Sequence, residues 1–369
     1  MAEPVLAMVQ TGQWQLDARE LAMPEVPDDG AILRVEVVGV CGSDVGQLSR
    51  IPASPRIPGH ENVGRIAAIG KSARHLWGLD EGDLIALEEY LVCHHCEWCH
   101  IGEYRHCWRT DTHNNPDPLR YGSTSLNLAP GLWGGYSQYL YMPAEAVWHR
   151  VADGASAIEA SLHIALANGV QWSVIEGGLR AGQSIFIQGP GQTGAACVVA
   201  AKSVGAGPII VSGLASDADR LATCLALGAD FVIDASATDV REAVLTLTSG
   251  RGVDLVVDTT ARAGSEPTLI AIDVLRTRGG TMIVQGEANF PDFPMTRISD
   301  KFITIRPARG HSYAAVERGL ELIASDTVDL DLMHTHNFPL ADALRAVRAT
   351  EGELIDGVRA LHCAILPWE

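Results

Sequence analysis

Between residues 184 and 201 the chain reads as strand, glycine turn, helix. Ser184-Ile185-Phe186-Ile187-Gln188 is a short apolar strand. Gly189-Pro190-Gly191-Gln192-Thr193-Gly194 is a glycine-rich turn, and Ala195 to Ala201 continues as a helix. Alone, a GxGxxG pattern says little. Between a strand and a helix it points to a dinucleotide, because the glycines admit a pyrophosphate to the helix N-terminus. The alternation then continues. Ile209-Ile210-Val211, Phe231-Val232-Ile233, Leu255-Val256-Val257 and Thr281-Met282-Ile283-Val284 read as strands. Helical stretches around Asp219–Leu227, Asp239–Ser249 and Glu266–Arg276 separate them. Strands alternating with helices predict a doubly wound parallel sheet in an α/β fold.

The chain before this unit follows another rule. Ala31 to Val38 and Gly64 to Ile69 alternate apolar and polar residues, as half-buried strands do. Pro24, Pro27, Pro52, Pro55 and Pro58 argue against long helices. Residues 1 to about 87 therefore read as a compact β domain. Trp108 to Pro130 reads as a long loop. A helix starts near Ser156, with Glu159 three residues on as a capping partner and Ile158, Leu162, Ala165 and Leu166 on one stripe. Further helix is expected near Ala314–Ser325. Leu361 to Leu366 is β-like and suited to return to the first domain.

The 369 residues suit two domains, and 47% hydrophobic with 20% charged residues is a globular composition. A net charge of −18 disfavours nucleic acid and anionic membranes as partners. No apolar run reaches the length of a membrane span. Met1-Ala2-Glu3-Pro4 lacks a basic-then-apolar leader, so a cytoplasmic protein is expected, with its eight cysteines serving as metal ligands or core thiols.

Cys41, His60 and Glu61 offer a thiol, an imidazole and a carboxylate, three groups that Zn²⁺ accepts at one centre. Gly42 and Gly59 beside them permit sharp turns. Cys93, Cys96, Cys99 and Cys107 follow with the spacing C-x2-C-x2-C-x7-C. Four thiolates so close in sequence can close a tetrahedral shell, which is a structural site. Two disulfides or an iron–sulfur cluster are the competing readings; the missing leader and the rest of the chain favour zinc. His94, His95, His100 and His106 crowd the same lobe and read as solvent-facing or supporting groups. Cys197, Cys224 and Cys363 read as core thiols, and Trp133, Trp148 and Trp172 as packing. His311, His334 and His336 show no partner pattern. Asp258-Thr259-Thr260 follows the fourth strand of the alternating unit, at the carboxyl edge where ligands bind; Thr259 is a candidate contact for a ribose of the dinucleotide, with a simple strand end as the equal alternative.

The order of these motifs resembles the medium-chain, zinc-dependent alcohol dehydrogenases over nearly the whole chain. The resemblance rests on Cys41-Gly42-Ser43-Asp44, Gly59-His60-Glu61, the four-cysteine lobe and Gly189 to Gly194. Leu227-Gly228-Ala229-Asp230, Arg278-Gly279-Gly280 and Phe338-Pro339-Leu340 are looser matches. It implies a GroES-like β domain in residues 1–164, a Rossmann domain in 165–307 and a return to the first domain in 308–369. It also implies two zinc ions, one catalytic and one structural. Cys41 and His60 would hold the catalytic zinc. Glu61 would be the adjacent carboxylate that binds or leaves it. Ser43 would bond the substrate oxygen, and Asp44 would orient the imidazole. Cys93, Cys96, Cys99 and Cys107 would hold the structural zinc. Gly189, Pro190, Gly191, Gln192, Thr193 and Gly194 would cradle NAD or NADP.

Three positions depart from the family pattern. His163 stands where a cysteine or an acid usually completes the catalytic zinc shell, with closure by Glu159 or water as the bland alternative. Gly46 replaces the histidine that often relays the proton. The acid expected about 20 residues after the last glycine is missing. Ser212-Gly213-Leu214 occupies that region with Arg220 a turn away, so NAD is only slightly favoured over NADP. The resemblance implies reversible oxidation of a small-molecule alcohol to a carbonyl compound, with a hydrophobic alcohol slightly favoured. A zinc-free enone or quinone reductase, or a zinc protein that senses NAD(P)H, fits the ligand set and Ser43 less well. A homodimer or homotetramer is also implied, for which Thr281 to Gln285 is the expected free sheet edge.

Overall fold

The computed structural model describes residues 4–260, 263–285, 293–325 and 327–369. The chain forms two compact units. One comprises Met1–Ile164, Ser312–Ala324 and His334–Glu369; the other comprises Ala165–His311 and Ser325–Met333. The second unit thus keeps residues 308–311 and takes back Ser325–Met333, which the sequence groups with the returning segment. Leu330, in that segment, is buried on the second unit.

The second unit is built on six parallel strands. Their order is Phe231–Asp234, Ile209–Gly213, Ile185–Gln188, Leu255–Asp258, Thr281–Val284 and Thr304–Pro307. The inner strands are short apolar runs buried on both faces, as a parallel sheet covered by helices requires. Helices Gln192–Ser203, Ala218–Leu227, Val240–Leu247 and Glu266–Val274 connect them. Thr281–Val284 is an interior strand, because Thr304–Pro307 pairs along it. The expected free edge at Thr281 to Gln285 is therefore wrong, and Thr304–Pro307 forms that edge instead.

The first unit carries a seven-stranded sheet. Its main order is His334–Pro339, His362–Leu366, Ala31–Gly39, Glu61–Ile69, Leu84–Leu91 and Ala146–Arg150, with Tyr139–Met142 also paired to Ala31–Gly39. The C-terminal run does return: Ala364 pairs with Gly39, and Gly39 pairs with Glu61 on its other side. Residue 362 thereby reaches the neighbourhood of residue 61.

The Ser156 cap forms as the sequence predicts. Ser156 Oγ accepts from the Glu159 N–H at 3.1 Å, and Glu159 Oε2 accepts from the Ser156 N–H at 2.8 Å. The helical stretch beyond it is broken. It runs Ala157–Ala160, resumes at His163–Val170 and widens into a π-turn over Gln171–Glu176. At the break the Ser161 hydroxyl bonds the Ile158 carbonyl at 2.6 Å. The loop after the cysteine lobe has no strand or helix from 108 to 130 but is well anchored. Tyr121 is buried and its hydroxyl donates to the Tyr141 carbonyl at 3.0 Å. No helix among the described residues is long and apolar enough to cross a membrane.

Candidate metal centres and dinucleotide turn

Cys41 caps the short helix Gly42–Leu48, and His60-Glu61 opens the strand Glu61–Ile69. Gly59 sets the turn between them. Its φ is +91°, and a Cβ there would lie 2.5 Å from the Tyr136 ring, so only glycine fits. The ligand atoms of Cys41, His60 and Glu61 lie within 4.8 Å of one another. Asp44, fully buried, organises them. Its Oδ2 accepts from the Cys41 N–H at 3.0 Å and from the Tyr136 hydroxyl at 3.3 Å, and its Oδ1 faces His60 Nδ1 at 3.4 Å. With Nδ1 turned to Asp44, Nε2 is left for a metal, and Ser43 Oγ lies 3.3 Å from it.

The charges in this cluster call for a cation. Burial, and then the Glu61 charge, push the Cys41 thiol up. Burial also lifts Glu61 to about 7, against the pull of His60. Burial opposes protonation of His60, but Asp44 and then Cys41 outweigh it and hold the ring well above its ordinary range. Both Glu61 oxygens are buried with no hydrogen-bond partner. A buried unpaired carboxylate is costly, and a thiolate–imidazole–carboxylate set fits Zn²⁺.

His163 is fully buried, but it falls outside the group of ligand atoms within that limit. Its Nδ1–H donates to the Ala160 carbonyl at 2.9 Å, since a carbonyl only accepts. That places the lone pair on Nε2, the tautomer a ligating histidine needs. Glu159 is held in the cap of its helix.

Cys93, Cys96, Cys99 and Cys107 converge as a second group. Cys93 Sγ lies 3.8 Å from Cys99 Sγ, and Cys96 Sγ 3.4 Å from Cys99 Sγ. A tetrahedron with zinc–sulfur bonds of about 2.3 Å has edges of about 3.8 Å, so the sulfurs suit zinc. Burial pushes the Cys93 thiol up, but the N–H groups of His95 and Cys96 outweigh it and bring it to about 6. All eight cysteines are free, which sets aside the disulfide reading. The lobe histidines stand around the thiolates: His94 is exposed and bonds the Ala144 carbonyl, and His106 packs on Trp98.

In the second unit Gly189 has φ +94°, and Gly191 caps the helix that begins at Gln192, with Thr193 and Gly194 in its first turn. A Cβ on Gly194 would lie 1.9 Å from the Gly189 carbonyl. The Thr259 hydroxyl donates to the carbonyls of Gln188 at 2.8 Å and Gly189 at 3.0 Å, so it buttresses the turn. Pro190 packs where a Gly213 side chain would stand, and Ser212 is buried. Arg220 pairs with Asp217 at 3.5 Å, and Asp217 in turn accepts from the Leu214 N–H at 3.1 Å. The close-packed glycine turn at a helix N-terminus fits a dinucleotide. Gly194→Ala is expected to weaken NAD binding at least about tenfold, measured by calorimetric titration, with zinc content unchanged.

Sequence reading missed two participants. Tyr136 bonds Asp44, and His362, hydrogen-bonded to His334, lies beside Glu61. No periodicity announces either one: loop backbone bonds to Pro58 and Gly59 seat Tyr136, and strand pairing brings in His362.

Residues 27–152 match the alcohol dehydrogenase GroES-like domain, and residues 193–325 match the zinc-binding dehydrogenase domain. The chain is 35% identical to a probable alcohol dehydrogenase of Mycobacterium tuberculosis, over 98% of both chains. It is 30% identical to a sorbitol dehydrogenase of Bacillus subtilis, over 90% of both. The crystal structure of an alcohol dehydrogenase from Thermotoga maritima superposes with a TM-score of 0.83 at 26% identity, covering 98% of this chain and 99% of that one. With a matching domain on each side of its Rossmann turn and a relative of this identity along its whole length, the chain belongs to the zinc-dependent alcohol dehydrogenases of the medium-chain superfamily.

Proposed function

We propose that the chain oxidises a neutral primary or secondary alcohol at a zinc held by Cys41, His60 and Glu61, with His163 as the donor that completes the shell when Glu61 leaves. The observation that carries this reading is the convergence of those three ligand atoms around a buried, unpartnered carboxylate. When bound, zinc supplies Lewis acidity to the alcohol oxygen and NAD(P) accepts the hydride. Asp44 holds His60 in its ligating orientation. Ser43 Oγ, beside His60 Nε2, bonds the alcohol and takes its proton. With Gly46 in place of a relay histidine, Ser43 hands its own hydroxyl proton to water as it takes the alcohol's. Cys93, Cys96, Cys99 and Cys107 would hold a second, structural zinc.

Several observations refine the proposal. Arg56 donates to Gln10 and to the Gln47 carbonyl, so it is engaged within the β domain, which favours an uncharged substrate over a phosphorylated one. NAD is the favoured cofactor: Arg220, the nearest candidate for a 2′-phosphate, is committed to Asp217. Free thiols throughout suit the reducing cytoplasm. We also infer a homodimer or homotetramer paired along the Thr304–Pro307 edge, an assembly that a monomer in light scattering would refute.

The test is zinc per chain and alcohol-dependent reduction of NAD and NADP, for wild type and His163→Ala. The expected result is two zinc ions in both proteins, activity in wild type alone, and a higher kcat/KM with NAD. Two ions and full activity in the variant would remove His163 from the shell. One ion in wild type without turnover would overturn the proposal.

A further inference from the structure

Tyr136 is fully buried in the loop ahead of the strand Tyr139–Met142, and it meets both segments that carry the proposed zinc ligands. Its backbone N–H donates to the Pro58 carbonyl at 2.9 Å, and the N–H of Gly135 beside it donates to the Gly59 carbonyl at 2.9 Å. Its ring lies over Gly59, where a Cβ would meet ring carbons at 2.5 and 2.9 Å. Backbone and ring therefore brace the turn that delivers His60. The hydroxyl reaches the other segment. It donates to Asp44 Oδ2 at 3.3 Å, and the same oxygen accepts from the Cys41 N–H at 3.0 Å.

The sheet does not supply this link. Pairing between the two segments ends at Gly39 opposite Glu61, so Cys41 and His60 both lie beyond it. Asp44 spans the gap, with Oδ2 on the Cys41 N–H and Oδ1 facing His60 Nδ1 at 3.4 Å. The last torsion of an aspartate is broad, so one hydrogen bond leaves the plane of the carboxyl loosely set. A second donor on Oδ2 fixes that plane and aims Oδ1 at His60. A phenol and a backbone N–H donate, and a carboxyl oxygen accepts, whatever the state of the imidazole opposite.

We propose that Tyr136 is a positioning residue for the catalytic zinc: ring and backbone brace the turn before His60, the hydroxyl locks Asp44, and together they hold Cys41 and His60 at the separation a shared metal needs. This rests on the zinc site proposed above and adds a residue that acts on it only through Gly59 and Asp44. It divides Tyr136 into two separable parts, a ring that shapes the turn and a hydroxyl that ties the turn to the Cys41 segment.

The test compares Tyr136→Phe, which removes the hydroxyl and keeps the ring, with Tyr136→Leu, which removes both. Zinc release to a chelator is followed in each, together with the visible spectrum of the Co²⁺-loaded protein. The release phase missing from Cys41→Ser belongs to the catalytic ion, and the lobe phase checks folding. Tyr136→Phe is expected to release the catalytic ion about tenfold faster, with an altered cobalt spectrum and an unchanged lobe phase, and Tyr136→Leu to release it faster still. Added to Asp44→Ala, Tyr136→Phe is expected to change release by less than about twofold, because its partner is already gone. A wild-type release rate in Tyr136→Phe would overturn the inference, as would equal acceleration of both ions or a full tenfold effect that persists without Asp44. Should Asp44→Ala fail to fold, Tyr136→Phe alone decides. A wild-type protein that binds metal only in the lobe would instead refute the underlying zinc site.

Discussion

Cys41→Ser is expected to lower kcat/KM for alcohol oxidation by a factor of about a thousand or more while leaving NAD binding within about twofold of wild type. The hydroxyl of serine stays protonated near neutral pH and is a poor zinc ligand, whereas a thiolate binds zinc directly. A thousandfold is about 4 kcal/mol of transition-state stabilisation, within what a Lewis acid supplies at a developing alkoxide. The backbone need not change, because the bond that anchors this residue runs from its own N–H to Asp44. The glycine turn at Gly189–Gly194 lies in the other compact unit, so cofactor affinity serves as the internal control. Steady-state kinetics with a calorimetric NAD titration would decide it. Unchanged turnover would move the chemistry away from Cys41.

Cys107→Ser is expected to act on stability first. The lobe has little apolar core of its own: Cys93, Cys99, Cys107, Tyr90, Val92 and Val147 form its buried cluster, with Cys96 and Tyr104 partly buried against it. Such a segment depends on its metal to fold, and structural zinc contributes on the order of 10 kcal/mol in isolated zinc-binding peptides. The lobe is also tied to the helix Tyr313–Ile323. The Gly102 carbonyl accepts from the Tyr313 N–H at 2.8 Å, and Tyr104 meets the Tyr313 ring edge-on at 5.9 Å. The Tyr313 ring lies against His149, which is buried between Glu88 and Glu317. Unfolding the lobe would expose this buried ionic network to water. Loss of one zinc per chain and a fall in thermal midpoint of more than about 10 °C are expected by calorimetry. A variant that keeps two zinc ions and the wild-type midpoint would show that the lobe folds without its fourth thiolate.

Each feature that the linear chain announces depends on residues close together in it. The parallel sheet was legible because every strand is a short apolar run between helical stretches. The Rossmann turn was legible because its glycines must lie between one strand and the next helix. The cysteine lobe was legible because four thiols fall within fifteen residues. The capping pair Ser156 and Glu159 is local in the same sense. Where Thr281–Val284 would sit in the sheet was not legible, since sheet order depends on which strand pairs next and not on the strand itself.

The catalytic neighbourhood divides along the same line. Cys41, Ser43, Asp44, His60 and Glu61 lie within two short segments, and their residue types and spacing alone marked a metal site. Only the folded chain could bring Tyr136 onto Asp44, or seat His362 near Glu61. The second meeting requires the C-terminal strand to pair with Ala31–Gly39 while Glu61 pairs with Gly39 on its other side. The same kind of pairing sets His334 beside His362, with their Nδ1 atoms 3.0 Å apart. The amino-acid sequence thus determined which groups can bind metal and cofactor, because that chemistry belongs to individual side chains at short spacing. The tertiary structure decided what surrounds those groups, because burial and hydrogen-bond partners come from segments far apart in the chain, 92 residues in the case of Tyr136 and Asp44.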